Sequence, residues 1–176
     1  MQCVFRNVYW CLLFFSLPLF SQPASKITGK VKNNEYDKTI ASILSFNIPI
    51  LSVQEARNHA DAVYLDAREL NEYTISHIPG ATFIGCDQWS PSSVQSLAKD
   101  KTLIVYCSVG YRSEKIATKI KALGFTHIYN LYGSIFEWVN EGYPLESDQG
   151  KPTLKLHTYN KGWSKWITNT NIQKIW

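Results

Sequence analysis

Cysteine, histidine and clustered basic residues are all scarce in this sequence of 176 residues. It contains four cysteines and four histidines, and the histidines show no metal-ligand spacing with one another or with a cysteine. The formal net charge is only +4, without the block of lysines and arginines that binds a nucleic-acid backbone. We therefore expect no metal, no other cofactor and no nucleic-acid partner.

The sequence also lacks an apolar run of the roughly 20 residues that a membrane-spanning helix needs. Its most apolar segment, Val8 to Phe20, follows one positive charge at Arg6 and precedes small residues at Ser21 and Ala24. This order is typical of a secretory signal peptide. It predicts a signal peptide over residues 1–24, cleaved near Ser21 to Ala24, and export to the periplasm or the cell exterior. No stable membrane span is then expected after cleavage, and an uncleaved anchor is the alternative.

Short apolar runs alternate with segments of helical periodicity along most of the remaining sequence. The runs AVYLDA, ATFIG, KTLIVYC and THIYNL are typical of buried strands. Ser52 and Glu55 form a capping-box pattern that predicts a short helix. Further helices are predicted in YDKTIASILSF, SPSSVQSLAKD, RSEKIATKIKALG and SIFEWVNEG. The alternation predicts an α/β fold with a small, mainly parallel sheet that is flanked by helices on both faces.

Three regions are expected beyond the signal peptide. Residues 25–49 form an N-terminal lead-in with a short helix, residues 50–146 form the α/β domain, and residues 147–176 form a C-terminal extension. The extension does not follow the strand–helix alternation, and its Trp163, Trp166 and Trp176 stand among lysines. Either these rings pack back onto the domain, or the extension binds a protein partner or a membrane surface.

The segment CSVGYRS carries the clearest chemical pattern. Cys107 directly follows the strand-like run LIVY, and ligands of open parallel sheets bind at the carboxyl ends of the strands. A helix beginning near Arg112 or Ser113 would direct backbone N–H groups at the sulfur and favour the thiolate. Gly110 would allow the loop to close tightly. Cys107 is therefore a candidate nucleophile, and the alternative is a small apolar residue that ends a strand.

Three segments together resemble a single-domain rhodanese from about Ile50 to Leu145. They are VYLDARELNEYTISHIPGATFI, IVYCSVGYRS and LGFTHIYNLYGSIFEWVNEGYPL, in the family's order and intervals. The resemblance implies a rhodanese-like three-layer fold and sulfurtransferase activity. A loop cysteine takes a sulfane sulfur from thiosulfate, a persulfide or a polysulfide and passes it to a thiol or to cyanide. Four residues separate Cys107 from Arg112, one fewer than in cysteine phosphatases, which favours sulfur over phosphate.

The resemblance also implies roles for individual residues. Cys107 is the expected nucleophile and persulfide carrier, and Asp66 and Ser113 are expected to support the site. Arg68 and Arg112 are candidates for binding an anionic donor, the alternatives being an ion pair with a helix acid and a salt bridge that holds the loop. The expected substrate-binding residues are Arg68, Ser108, Val109, Gly110, Tyr111 and Arg112.

Two other functions stay open at this level. The chain could be a non-enzymatic module that keeps the fold and docks a partner through its loop or extension. It could also be a redox protein in which Cys86 and Cys107 form a disulfide. The segment YGSIFEW departs from the family by placing Ser134 where a second glycine is common, and this serine is a candidate N-cap.

Overall fold

The structure, a computed structural model, describes residues 30–176. The predicted signal peptide lies outside the described residues, and no helix within them is long and apolar enough to cross a membrane. The helices are α1 (Asn34–Ile43), α2 (Val53–Arg57), α3 (Leu70–Ile75), α4 (Tyr111–Ala122) and α5 (Ser134–Asn140), with 3-10 turns at Pro91–Val94 and Trp163–Trp166. The strands are β1 (Ile50–Leu51), β2 (Val63–Asp66), β3 (Thr82–Phe83), β4 (Leu103–Tyr106), β5 (Ile128–Leu131), β6 (Leu145–Glu146), β7 (Pro152–Thr153), β8 (Lys155–His157) and β9 (Gln173–Ile175).

Five of these strands form a parallel sheet with the order β1-β5-β4-β2-β3. The central strand β4 pairs with β2 on one side and with β5 on the other, so that Leu103 lies beside both Val63 and Ile128. The short strand β1 extends the sheet beyond β5, and the sequence pattern did not indicate it. The four predicted strands are all present as β2, β3, β4 and β5, which confirms the parallel α/β fold.

Both faces of the sheet are covered, as alternate residues of β4 show. Ile104 and Tyr106 belong to a core cluster that includes residues of α1, α2 and α5. Leu103 and Val105 belong to a second cluster that includes residues of α4. All four side chains are fully buried, so the strand is a continuous apolar run rather than an alternating one.

Local capping explains where several elements begin. The Ser52 side chain accepts a bond from the Glu55 N–H, and the Glu55 carboxylate accepts one from the Ser52 N–H, which completes the predicted capping box of α2. Ser90 caps the short helix predicted in SPSSVQSLAKD, which is a single 3-10 turn at Pro91–Val94. The helix α4 begins at Tyr111, one residue before the predicted start.

The C-terminal extension folds back onto the domain. Its strands β8 and β9 pair in parallel, and Leu156, Ile167 and Ile172 are buried in the same core cluster as α1 and α5. Trp166 stacks on Tyr36 of α1 with 5.3 Å between ring centroids. Trp176, by contrast, is 58% exposed. The extension therefore shares a core with residues 50–146 through its buried aliphatic side chains.

Candidate active site

Cys107 lies at the carboxyl end of the central strand β4, buried at the base of a loop that leads into α4. The loop turns at Gly110, which has φ +113° and forms the N-cap of α4. A side chain would be strained in this backbone conformation, so glycine suits the position. The turn lets the Gly110 N–H donate a hydrogen bond to Cys107 Sγ at 3.2 Å.

The surroundings of Cys107 favour its thiolate. Burial alone would raise the thiol pKa, but the charge of Arg112, the Ser113 hydroxyl and the N–H groups of Ser113 and Gly110 outweigh it, so the pKa of Cys107 is lowered from its ordinary value. The Ser113 Oγ lies 3.5 Å from Cys107 Sγ. These contacts are the N-terminal helix environment in which reactive cysteines occur.

Asn130 of β5 links the loop to α4 through two side-chain hydrogen bonds. Its side-chain amide donates to the Gly110 carbonyl at 3.0 Å, and its Oδ1 accepts the Ser113 hydroxyl at 2.7 Å. The Ser113 proton is thus directed toward Asn130 or toward the sulfur, since a hydroxyl has only one proton to donate. Sequence reasoning missed this residue, and its one signal was a polar side chain inside the strand-like run THIYNL.

The start of α5 holds the other side of the loop. The Cys107 N–H donates to Ser134 Oγ at 3.1 Å, while the N–H groups of Ile135 and Phe136 donate to the carbonyls of Cys107 and Ser108. Gly133, rather than Ser134, is the N-cap of α5. The expectation that Ser134 caps this helix is therefore wrong, because its hydroxyl is committed to the backbone of the nucleophile.

Arg112 is anchored by Glu72 of α3. Its two terminal nitrogens donate to the Glu72 carboxylate at 2.6 and 2.8 Å, and Nη2 also donates to Ser108 Oγ at 3.0 Å. Burial would raise the pKa of Glu72, but the Arg112 and Arg68 guanidinium groups and the Glu69 N–H together outweigh it, and the pKa is lowered. The loop-holding salt bridge is thus present, and Arg112 also lines the pocket described below. Sequence reasoning gave Glu72 no role of its own.

The structure corrects the assignment of Arg68 to substrate binding. Arg68 has no exposed surface and is not among the residues that line the pocket. Its guanidinium donates to the Asp66 carboxylate, with Nη2 at 2.7 Å from Oδ2, and to the Ser76 carbonyl at 2.6 Å. The ion pair therefore forms with Asp66 at the end of β2 rather than with a helix acid. Both residues lie in the core, and support of the site by Asp66 stays a prediction.

A pocket of about 490 Å³ opens over the loop. Cys107 lies among its lining residues, and the ring of Tyr159 stands 5.1 Å from the Arg112 guanidinium carbon. Two aromatic residues of the wall come from the C-terminal extension, which sequence reasoning did not connect with the site. The lining residues are Ile43, Cys107, Ser108, Val109, Tyr111, Arg112, Tyr159 and Trp163.

Cys86 and Cys107 are both free thiols. Cys86 is partly exposed, and burial as the largest effect raises its pKa from the ordinary value. A metal ion could bridge three groups near Cys86, because one ligand atom from each lies within 4.8 Å of the others. The three residues are Glu69, Cys86 and Asp87. Two of these groups are carboxylates near the surface, which commonly cluster without a metal.

Comparison with known proteins places this geometry in a family. Residues 52–141 match the rhodanese-like domain. The chain is 28% identical over 159 residues to the rhodanese-like/PpiC domain-containing protein 12, chloroplastic, of Arabidopsis thaliana, an alignment that covers 82% of this chain and 52% of that protein. It is 33% identical over 97 residues to a tRNA uridine(34) hydroxylase of Enterobacter sp., covering 52% of this chain and 27% of that protein.

The chain thus spans about half, or less, of the length of these curated relatives. Among solved structures, the thiosulfate sulfurtransferase of Pseudomonas aeruginosa aligns with a TM-score of 0.52 and 21% identity, over 68% of this chain and 23% of that one. This likeness shows the fold alone. Because the family match extends over half of the chain and contains both the parallel sheet and the Cys107 loop, the protein belongs to the rhodanese-like domain family.

Proposed function

We propose that this protein is a sulfurtransferase that carries a sulfane sulfur on Cys107. The donor is thiosulfate, a persulfide or a polysulfide, and the acceptor is a thiol or cyanide. The observation that carries the proposal is the position of Cys107 Sγ: it lies at the base of a pocket, accepts a bond from the Gly110 N–H at 3.2 Å, and has a lowered pKa. A thiolate in such a place is a nucleophile with room for a donor.

In the first step, the Cys107 thiolate attacks the outer sulfur of the donor. A new S–S bond forms to Cys107 Sγ while the donor's own bond to that sulfur breaks, and the leaving group departs with the electron pair. Thiosulfate would leave as sulfite, and an organic persulfide would leave as a thiolate. The positive end of α4 and the N–H groups at its start stabilise negative charge on the bound sulfur.

In the second step, the acceptor attacks the same outer sulfur. The bond between the two sulfurs of the Cys107 persulfide breaks, and Cys107 returns to its thiolate. A thiol acceptor leaves as a persulfide and cyanide leaves as thiocyanate. In this scheme Ser108, Val109, Gly110 and Tyr111 surround the transferred sulfur, and Arg112 holds the loop and supplies positive charge beside it.

Mass spectrometry tests this proposal directly. The protein is incubated with thiosulfate or a polysulfide, and the peptide that contains Cys107 is expected to gain the mass of one sulfur atom. Cys107→Ser should gain none, while the matched control Cys86→Ser should be loaded like the wild type. A folded wild-type protein that gains no sulfur from any donor would refute the proposal.

The redox alternative makes a different prediction with the same proteins. It requires a disulfide between Cys86 and Cys107 in the oxidised protein, whereas the structure has two free thiols. Peptide mapping without reductant distinguishes the two functions, because only the redox protein yields a cross-linked peptide pair.

A further inference from the structure

The lining of the pocket is mainly apolar. Five of the eight lining residues are aliphatic or aromatic, namely Ile43, Val109, Tyr111, Tyr159 and Trp163. The volume of about 490 Å³ lies within the range of roughly 300–1,000 Å³ that is typical of small-molecule sites. A sulfane sulfur and a small inorganic group would occupy a minor part of this space.

The charge around the pocket gives a small dianion no advantage over an organic thiolate. Among the described lining residues, only Arg112 carries a formal positive charge, and both of its terminal nitrogens are bound to the Glu72 carboxylate. Arg68 is fully buried against Asp66. The nearest guanidinium charges are therefore partly compensated by carboxylates, and a dianion gains less attraction here than it would beside an unpaired guanidinium.

Tyr159 is held in a conformation that burial does not explain. Its φ is +65°, a region that side chains other than glycine and asparagine rarely adopt, yet its side chain is 53% exposed. Its N–H donates to His157 Nδ1 at 3.2 Å, and its ring stands over Arg112. Backbone strain of this kind accumulates at ligand-binding positions.

Trp163 is positioned by different contacts. It opens the 3-10 turn Trp163–Trp166, its N–H donates to Asn160 Oδ1 at 3.1 Å, and its side chain packs against the core cluster of α1 and α5. The extension therefore presents two aromatic rings to the pocket from a firmly held segment. Rigid aromatic rings are the groups that bind apolar carbon skeletons with the least loss of conformational entropy.

We propose that Tyr159 and Trp163 select an organic thiol, or its persulfide, whose aromatic or apolar group packs between them. This inference rests on the proposed sulfurtransferase function. In the acceptor direction, the thiolate R–S⁻ attacks the outer sulfur of the Cys107 persulfide. A new S–S bond forms and gives the persulfide R–S–S⁻, while the bond to Cys107 Sγ breaks and Cys107 leaves as its thiolate. No external oxidant or reductant is needed.

The test compares two acceptors on protein loaded with sulfur and freed of excess donor. 2-Phenylethanethiol carries an aromatic group, whereas 2-mercaptoethanol carries a polar one, and mass spectrometry follows the loss of sulfur from Cys107. The measured quantity is the ratio of the two second-order rate constants. Comparing this ratio between variants cancels the intrinsic reactivities of the two thiols.

Tyr159→Asn removes the ring while keeping a residue that tolerates positive φ, and Trp163→Ala removes the second ring. Each is expected to lower the ratio about fivefold, the effect of one lost aromatic contact. Trp176→Ala is the matched control, since it removes a tryptophan of the same extension that is 58% exposed and does not line the pocket. Its ratio should equal that of the wild type.

The outcomes separate the two proposals. A wild type that cannot be loaded with sulfur refutes the sulfurtransferase function itself. Normal loading with an unchanged ratio in Tyr159→Asn and Trp163→Ala refutes only the selection by these rings. A drop in rate that is equal for both thiols and for cyanide also refutes it, because it reports a general loss of structure. If Trp163→Ala does not fold, the exposed position Tyr159 decides the question alone.

Discussion

At Cys107, burial and hydrogen bonding act on the thiol in opposite directions. Burial disfavours the thiolate, whereas the Arg112 charge and the donors at Ser113 and Gly110 favour it and prevail. Cys86 is less buried and has no comparable donor within residues 30–176, and burial raises its pKa despite the opposing charge of Arg112. The two thiols therefore differ in their surroundings rather than in their intrinsic chemistry.

Alkylation by iodoacetamide as a function of pH should separate these thiols. The thiolate is the reactive form, so each rate rises with pH through the pKa of its thiol and then levels off. From a shared ordinary value of 9.0, the midpoint of Cys107 should lie below and that of Cys86 above. Quantitative peptide mass spectrometry measures both in one sample.

Ser113→Ala supplies the control for this prediction. It removes a hydroxyl that lowers the pKa of Cys107, so the Cys107 midpoint should move to higher pH while the Cys86 midpoint stays in place. A wild-type Cys107 midpoint at or above that of Cys86 would contradict the stabilised thiolate.

At the scale of elements, the Cys107 loop is held by the helices on either side of it. The start of α5 binds the loop backbone, and α3 binds α4 through Glu72 and Arg112. Glycine is needed at Gly133, the N-cap of α5, since a Cβ there would lie 2.6 Å from Glu137 Cβ and 2.7 Å from Val31 Cγ1. Ser134 follows with a φ of +53°, and its hydroxyl accepts from the Cys107 N–H instead of capping α5.

Two substitutions at Ser134 should differ in their effect on stability. Ser134→Ala leaves the buried Cys107 N–H without an acceptor and should lower the free energy of unfolding by about 2 kcal/mol. Ser134→Gly loses the same bond but relieves the positive φ, so its loss should be smaller by about 1 kcal/mol. Urea denaturation measures both.

The exposed Ser42 on α1 offers a matched serine-to-alanine control, and Ser42→Ala should change stability little. Equal losses in the two Ser134 variants would show that the backbone at this position is not strained. A loss no larger than that of Ser42→Ala would show that the bond to the Cys107 N–H contributes nothing.

At the scale of the whole molecule, the family domain and the extension share one core. The family match ends at residue 141, yet the buried side chains of Leu156, Ile167 and Ile172 lie beyond it. They pack with α1, which itself precedes the matched region. The segments outside the family match therefore help to cover one face of the sheet, together with α2 and α5, and supply part of the pocket wall.

Truncation after Glu146 should consequently destabilise the protein. It removes three buried aliphatic side chains, each contributing about 2 kcal/mol, and exposes the apolar surface that they cover. We expect a fall in the free energy of unfolding of about 6 kcal/mol, or failure to fold, measured by urea denaturation. Deleting only Trp176, which is 58% exposed, is the control and should have little effect. An unchanged stability of the truncated chain would contradict the shared core.

Local patterns were sufficient to predict much of this architecture. The capping box at Ser52, the apolar run LIVY and the periodicity of α4 depend on neighbours within a few residues, and the structure has all three. The strand β1 was missed because two residues carry no periodicity and are ordered only by pairing with β5. The capping signal at Ser90 predicted the short helix at Pro91–Val94, but a cap does not distinguish a 3-10 turn from an α-helix.

The sequence by itself determined the parallel α/β fold and the location of Cys107 at a strand end, since apolar runs and loop residues are properties of adjacent positions. Only the tertiary structure decided that Arg68 is buried on Asp66, that Glu72 and Asn130 hold the loop, and that the extension walls the pocket. Most of these contacts join residues that are far apart in the sequence and are brought together by packing. The spacing of side chains along the chain does not indicate which distant groups will be in contact.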